Sequence, residues 1–221
     1  MHRRLLGVSQ AILIGLVIVS GAIAIPVLFR PFFYWHIGPF CLTDMVDLTT
    51  GQIKTAYNEM MNFCIGLTDS FSAGVLPYSQ SGADHFADVR KLFVLDLQVL
   101  VVTGILLTVI TAVFHKENLH LLGHTPGFWG AVGLGVTFSL IGGLAALDFD
   151  QAFVIFHKLF FPGKDNWLFD GRTDPIIHML PAEFFRNCAI LILAVILLTC
   201  TSLLLFDWHI RHKKEKDTPT Q

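Results

Sequence analysis

Two side chains in this sequence suit proton transfer near neutral pH, the imidazoles of His85 and His157. His157 sits within Q-A-F-V-I-F-H-K-L-F-F-P-G-K-D-N-W at 151–167, a phenylalanine-rich stretch too short and interrupted to cross a bilayer. Aromatic rings favour the membrane–water boundary, and a titratable base held among them is unusual. His85 opens H-F-A-D-V-R-K-L-F at 85–93, which runs without a helix breaker into a long apolar segment. Helical spacing puts His85, Asp88, Val89, Leu92 and Asp96 on one face. Other catalytic signatures are missing: the sequence has no P-loop, dinucleotide fingerprint, H-E-x-x-H or G-x-S-x-G. No C-x-x-C suggests thiol oxidation, and no histidine falls in the middle of an apolar span, as a bis-imidazole cytochrome requires.

Four charged residues are candidates for orienting the imidazoles. Asp88, Arg90 and Asp148 read first as helix caps or anchors. Asp96 falls inside an apolar segment, where a carboxylate is costly and normally faces a partner in the protein interior; Arg186 or a backbone amide are the candidates. The bland alternative for His157 is equally physical, since an interfacial histidine on a phenylalanine-rich helix also serves packing.

The elements that must position these residues follow from composition. Of 221 residues 53% are hydrophobic, 14% charged and 20 are Phe, far too apolar for a soluble domain. Runs at 5–29, 92–114, 127–147 and 188–206 each reach the length of about 20 residues needed to span roughly 30 Å of hydrocarbon. The expected fold is an all-α membrane protein with four transmembrane helices in a single integral domain, 1–221. Two extracytoplasmic segments, 30–91 and 148–187, form a small helical and irregular outer cap, and a cytoplasmic tail occupies 207–221. The first run resembles a signal peptide, with Arg3 and Arg4 before it and Ala22-Ile-Ala24 near its end. It continues to Phe29, long enough to cross, so a retained anchor is expected.

Orientation comes from the basic residues. Arg3, Arg4, Lys116, Arg211, Lys213, Lys214 and Lys216 crowd three short segments, whereas the two long ones carry eight Lys or Arg beside 12 Asp or Glu. This density predicts N-in and C-in. The net charge of −2 says nothing about nucleic acid, and with no basic aromatic patch in the sequence no nucleic-acid partner is expected.

Along the outer segments, P-F-F-Y-W-H-I-G-P at 31–39 is an aromatic ledge in which His36 is an interfacial anchor. Ile53, Ala56, Tyr57, Met60 and Cys64 recur at three- and four-residue steps, predicting an amphipathic helix over 50–64 capped by Thr49 or Thr50. Residues 70–82 predict an irregular loop, with Ser81-Gly-Ala-Asp84 as the next helix start. Asp148 or Asp150 caps the helix of His157, Pro162-Gly163 ends it, and Asp174-Pro175 begins a short piece holding His178. Compartment permits a Cys41–Cys64 disulfide, while reduced packing cysteines fit as well. Cys188 and Cys200 read as small apolar residues. His115, His120 and His124 in the short inner loop read as surface residues rather than metal ligands. The glycines of the third span (Gly127, Gly130, Gly133, Gly135, Gly142, Gly143) predict close helix approach. No metal or cofactor is implied.

The two histidine stretches, H-F-A-D-V-R-K-L-F and F-H-K-L-F-F-P-G-x-x-x-W at 156–167, resemble the bacterial lipoprotein intramolecular transacylase family (Lit). The span count, loop sizes and the P-A-E-F-F at 181–185 that opens the last helix extend the similarity along the whole chain. The resemblance implies an enzyme of the bacterial cytoplasmic membrane, acting on its extracytoplasmic side, whose partners are a diacylglyceryl lipoprotein and membrane lipids. One acyl chain passes from the glycerol to the α-amine of the N-terminal cysteine, leaving a lyso-form lipoprotein. It also implies that His85 and His157 are the catalytic pair. His157 would take the amine proton and return it to the leaving oxygen, and His85 would orient the ester or support the oxyanion as a neutral donor. A monomer is expected. The competing reading is a non-catalytic lipid- or protein-binding membrane module, or a transporter subunit, for which Asp96 and the glycine-rich span are the hints.

Overall fold

The computed structural model describes residues 2–114 and 119–216, without the side chains of His2 and residues 214–216. His115 and Lys116 of the expected inner loop, the side chains of Lys214 and Lys216, and the end of the tail at 217–221 lie outside the described residues. Among the described residues the protein is all-α, with nine helices and no strand. They are α1 (His2–Leu28), α2 (Pro31–Tyr34), α3 (Leu42–Val46), α4 (Thr50–Cys64), α5 (Gln80–Val113), α6 (Pro126–Leu147), α7 (Phe149–Phe160), α8 (Ile176–Met179) and α9 (Ala182–Lys216). Helices α1, α5, α6 and α9 are long and apolar enough to cross a membrane.

The chain divides into two compact units, and the four long helices contribute to both. The first comprises Met1–Ala22, Gln98–Gly143 and Ile192–Gln221. Its core is small: Ile18, Ala22, Ala131, Ile196 and Cys200 are buried, with Ile14, Leu134 and Phe138 against them. The glycines of α6 work here as their spacing predicts. A Cβ at Gly130 would stand 3.0 Å from the Ala11 carbonyl oxygen, and one at Gly142 would run into Leu193. Backbone therefore packs where side chains would hold helices apart. Gly133 and Gly143 have open space and take no part in this packing.

One histidine of the inner loop departs from expectation. His124 is not a surface residue: its Nδ1 lies 2.7 Å from Oδ2 of Asp207 on α9, a carboxylate only 2% exposed. The other oxygen of Asp207 accepts from the Thr125 amide at 2.7 Å, Phe128 stacks on the imidazole at 3.8 Å, and Arg211 Nη1 lies 3.1 Å from His124 Nε2. Asp207 thereby fastens the start of α6 to α9, satisfying backbone groups that a helix start leaves bare.

The second unit comprises Ile23–Leu97 and Leu144–Leu191. Its core gathers Phe33, Leu42, Ile53, Tyr57, Met60, Cys64, Ile176, Met179 and Phe184. Phe33 stacks on Tyr57 at 3.8 Å, and Arg30 donates from Nη2 to Asn62 Oδ1 at 2.7 Å, which ties the aromatic ledge to α4. Helix α4 starts with a capping box between Thr49 and Gln52 and buries Ile53, Ala56, Tyr57, Met60 and Cys64. His36 links two parts of the unit, with Nδ1 2.7 Å from the Phe32 carbonyl and Nε2 3.0 Å from Asn187 Nδ2. All four cysteines are free thiols; Cys41 is exposed and Cys64 buried.

Replacing Asp207 with alanine leaves the Thr125 amide and His124 without their partner, a loss of about 1–3 kcal/mol. The expected outcome is a lower melting temperature of the detergent-solubilised protein, read by intrinsic fluorescence, with Asp207→Asn retaining part of the loss-free behaviour through its amide oxygen. Unchanged melting of Asp207→Ala would show that this network holds nothing together.

Candidate active site

His85 and His157 both belong to the second unit. Helix α5 starts at Gln80, one residue before the Ser81–Asp84 signal, with Ser79 as the cap. Its Oγ accepts from the Gly82 amide at 3.0 Å, and its own amide donates to Asp174 Oδ1 at 2.8 Å. Asp174 is buried, takes a second bond from Thr173 Oγ1 at 2.9 Å, and fills the space a Cβ at Gly82 would need. The first turns of α5 are thus fixed to the 170–175 turn. His85 follows, 6% exposed, with Phe161 and Phe169 set edge-on to its ring at 5.0 and 5.4 Å.

Asp148 caps α7, accepting from the Gln151 amide at 2.9 Å. The helix turns Ile155, Phe156, Leu159 and Phe160 outward as exposed residues and His157 inward at 8% exposure. Its Nδ1 lies 2.8 Å from the Phe153 carbonyl. A carbonyl can only accept, so Nδ1 carries the proton and Nε2 of the neutral ring keeps a lone pair. Trp167 stacks on this imidazole at 4.6 Å and Phe153 touches it at 4.2 Å. Burial holds His157 below the ordinary imidazole range, partly offset by the Phe153 carbonyl. The His85 and His157 rings lie 6.0 Å apart at 30°.

One turn beyond His85, Asp88 gathers three donors. Lys91 Nζ lies 3.0 Å from Oδ1, while Oδ2 takes the Lys164 ammonium and Asn166 Nδ2, the latter at 3.3 Å. Lys164 and Asn166 come from the turn after α7, where Gly163 adopts φ +71°. Trp167 Nε1 donates to the Lys164 carbonyl at 3.0 Å, so the same turn presents the indole to His157. Two polar atoms at this place are buried without a partner, His85 Nδ1 and Asn166 Oδ1.

The other charged candidates lie differently. Arg90 reaches to the 63–69 segment, donating to the Thr68 carbonyl at 2.6 Å, standing over the Phe63 ring and facing Asp69 at 3.6 Å. Asp96 makes no hydrogen bond or ion pair among the described residues, and Arg186 is exposed. Burial pushes the Cys64 thiol up to about 12, which keeps it from acting as a thiolate nucleophile. Among the described residues no three His, Cys, Asp or Glu side chains converge as metal donors. Sequence reasoning read Asp174 only as the start of the piece holding His178, and did not single out Lys164 or Asn166. Their one signal is a polar cluster, K-D-N, directly after a Pro-Gly break.

The profile of the family described as lipoprotein intramolecular transacylase Lit matches residues 8–185. Similar solved structures include the membrane-integral lipoprotein intramolecular transacylase Lit from Bacillus cereus, at 26% identity and a TM-score of 0.88, covering 98% of this chain and 99% of that one. Two more structures of that protein carry an H85R or an H85A mutation. They match at 26% and 27% identity with TM-scores of 0.81 and 0.79, over 98% of this chain and 95% and 96% of theirs. A comparison with curated proteins gave no match. With the profile spanning most of its length, the chain belongs to the lipoprotein intramolecular transacylase (Lit) family and is a membrane-integral acyltransferase.

Proposed function

We propose that the chain moves one acyl chain from the diacylglyceryl group of a lipoprotein to the α-amine of its N-terminal cysteine, with His157 as the base. The observation that carries this reading is the buried imidazole pair, 6.0 Å apart, with the His157 Nδ1 proton committed to the Phe153 carbonyl. The amine nitrogen attacks the ester carbonyl carbon. Nε2 of His157 takes the proton the amine loses, a C–N bond forms, and the C–O bond to glycerol breaks. The imidazolium then returns the proton to the departing glycerol oxygen, so the ring ends as it began. His85 orients the reacting groups opposite. Donor and acceptor belong to one molecule, and holding them in a reactive pose is worth on the order of 7–11 kcal/mol in a well-aligned case.

The substrate's lipid places the reaction at a bilayer surface. The outward face of α7 (Ile155, Phe156, Leu159, Phe160) supports this, because α7 follows the exposed apolar end of α6, Leu144 and Leu147, with only Asp148 between them. The density of Lys and Arg supports N-in and C-in orientation in a bacterial cytoplasmic membrane, with both histidines on the extracytoplasmic side.

His157→Ala and His85→Ala, expressed in a bacterium that cannot N-acylate lipoproteins, are each expected to cut the lyso-form by about 10²-fold or more. Mass spectrometry of lipoprotein N-termini measures this, with membrane extraction and monodisperse gel filtration as controls for insertion. Full lyso-form from both variants would sink the catalytic assignment.

The pH dependence has a definite sign. Since burial lowers the His157 pKa, the proton-accepting ring persists below pH 6.5. Between about pH 8 and pH 6.5 the rate falls only as the substrate amine, with an ordinary pKa of about 7.7–8.0, becomes protonated. Ring protonation appears as a second, steeper decline below pH 6.5. Initial rates in detergent–lipid micelles test this, and a break to a steeper slope above pH 7 would contradict the buried environment of His157.

A further inference from the structure

We infer that Asn166 is the positioning residue of His85, its Oδ1 taking the Nδ1 proton so that His85 presents Nε2 to the substrate amine. This deepens the proposed acyl transfer and rests on it for its catalytic meaning. The starting observation is a pair of complementary defects. His85 Nδ1 and Asn166 Oδ1 are both buried and both lack a partner, in a residue 6% exposed and a turn held against the same helix. Buried polar groups in folded proteins are almost always paired. Asn166 is held on Asp88, one turn along α5 from His85, and its side chain bears on the His85 imidazole, so each unpaired atom is the complement the other lacks.

The amide cannot turn the other way. Asp88 Oδ2 accepts from Asn166 Nδ2 at 3.3 Å, and a carboxylate can only accept, so the amide's NH2 end is fixed there and its oxygen is the end left over. Asp88 is itself held by Lys91 and Lys164. The order Asp88, Asn166, His85 therefore specifies which imidazole nitrogen carries the proton. With Nδ1–H engaged, neutral His85 has a lone pair on Nε2 and cannot donate from that atom to an oxyanion. It accepts a second N–H of the amine while His157 takes the proton that leaves. The neutral ring holds the nucleophile in line and supports the oxyanion only when protonated. The charged or titratable groups that bear on it are His157 on α7, Asp88 on its own helix and Lys164 on the turn.

The test reads the tautomer directly. Nitrogen-15 spectra of the imidazoles in full-length protein in detergent micelles, with His85 assigned by comparison with His85→Gln, are expected to show His85 protonated at Nδ1 at pH 8. Asn166→Leu is expected to mix or reverse that tautomer and lower kcat on the order of 10²-fold with little change in KM. Asn166→Asp keeps the acceptor and adds a negative charge, so the Nδ1–H form persists and the acid limb of the rate moves to higher pH. His157 signals unchanged in both variants confirm that the site is folded. A His85 protonated at Nε2 in the unaltered protein, or a tautomer unaffected by Asn166→Leu, overturns the inference. These spectra need no turnover: a lack of lyso-form product would sink the proposed reaction while the tautomer result stood or fell alone.

Discussion

The arrangement of the site depends on one carboxylate, that of Asp88. Its side chain is only 10% exposed, and a carboxylate removed from water is costly unless hydrogen-bonded and balanced by positive charge. Lys91 on the same helix and Lys164 on the turn after α7 supply the charge, and Asn166 a third donor. Asp88 can therefore rest where it does only with the 164–166 turn drawn against α5. The consequence reaches both imidazoles. Asn166 arrives beside His85, and Trp167, whose indole is tied to the Lys164 carbonyl, arrives over His157. An ion pair in the open would contribute little, but this one is partly enclosed and its geometric effect exceeds its energetic one.

The start of α5 obeys the same logic. Asp174 is a second buried carboxylate, and it binds the Ser79 amide just where the helix leaves its amides unpaired. Gly82 is needed there because any side chain would displace that carboxylate. His85 lies within the first two turns of a helix of 34 residues, so its position is anchored by a cap at one end and a long apolar body at the other.

What could be read in the sequence was what repeats or ends locally. The apolar stripe Ile53, Ala56, Tyr57, Met60 and Cys64 announces α4 because a 3.6-residue period survives without knowledge of the partner, and all five are buried. Asp148 announces α7 in the same way, as a cap that accepts from an amide three residues on. The long-range polar contacts were not legible. His124 meets Asp207 across 83 residues and Asp88 meets Lys164 across 76, and no local pattern records such a pairing. The start of α5 was legible to within a residue, but the contact that fixes it was not: the Ser79 amide donates to Asp174, 95 residues away. Asp96 illustrates the converse. An intramembrane carboxylate suggests a partner by its cost, but neither Arg186 nor any other described side chain pairs with it, so cost alone identified no contact.

An intramolecular transfer places unusual demands on an enzyme, and they are light ones. A hydrolase or intermolecular acyltransferase commonly needs a nucleophile to store the acyl group while substrates exchange. When the amine and the ester travel on the same molecule, nothing has to be stored, and what remains is to align two groups and handle one proton. The chemistry near His157 fits that reduced requirement. Its lone pair is set by a backbone carbonyl one turn back, and the Cys64 thiol on α4 is pushed up to about 12 by burial. The exposed apolar face of α7 and the buried His157 belong to the same twelve residues. Under the proposed reaction that is the economy of the fold: the element that lies against the lipid-borne substrate is also the one that deprotonates it.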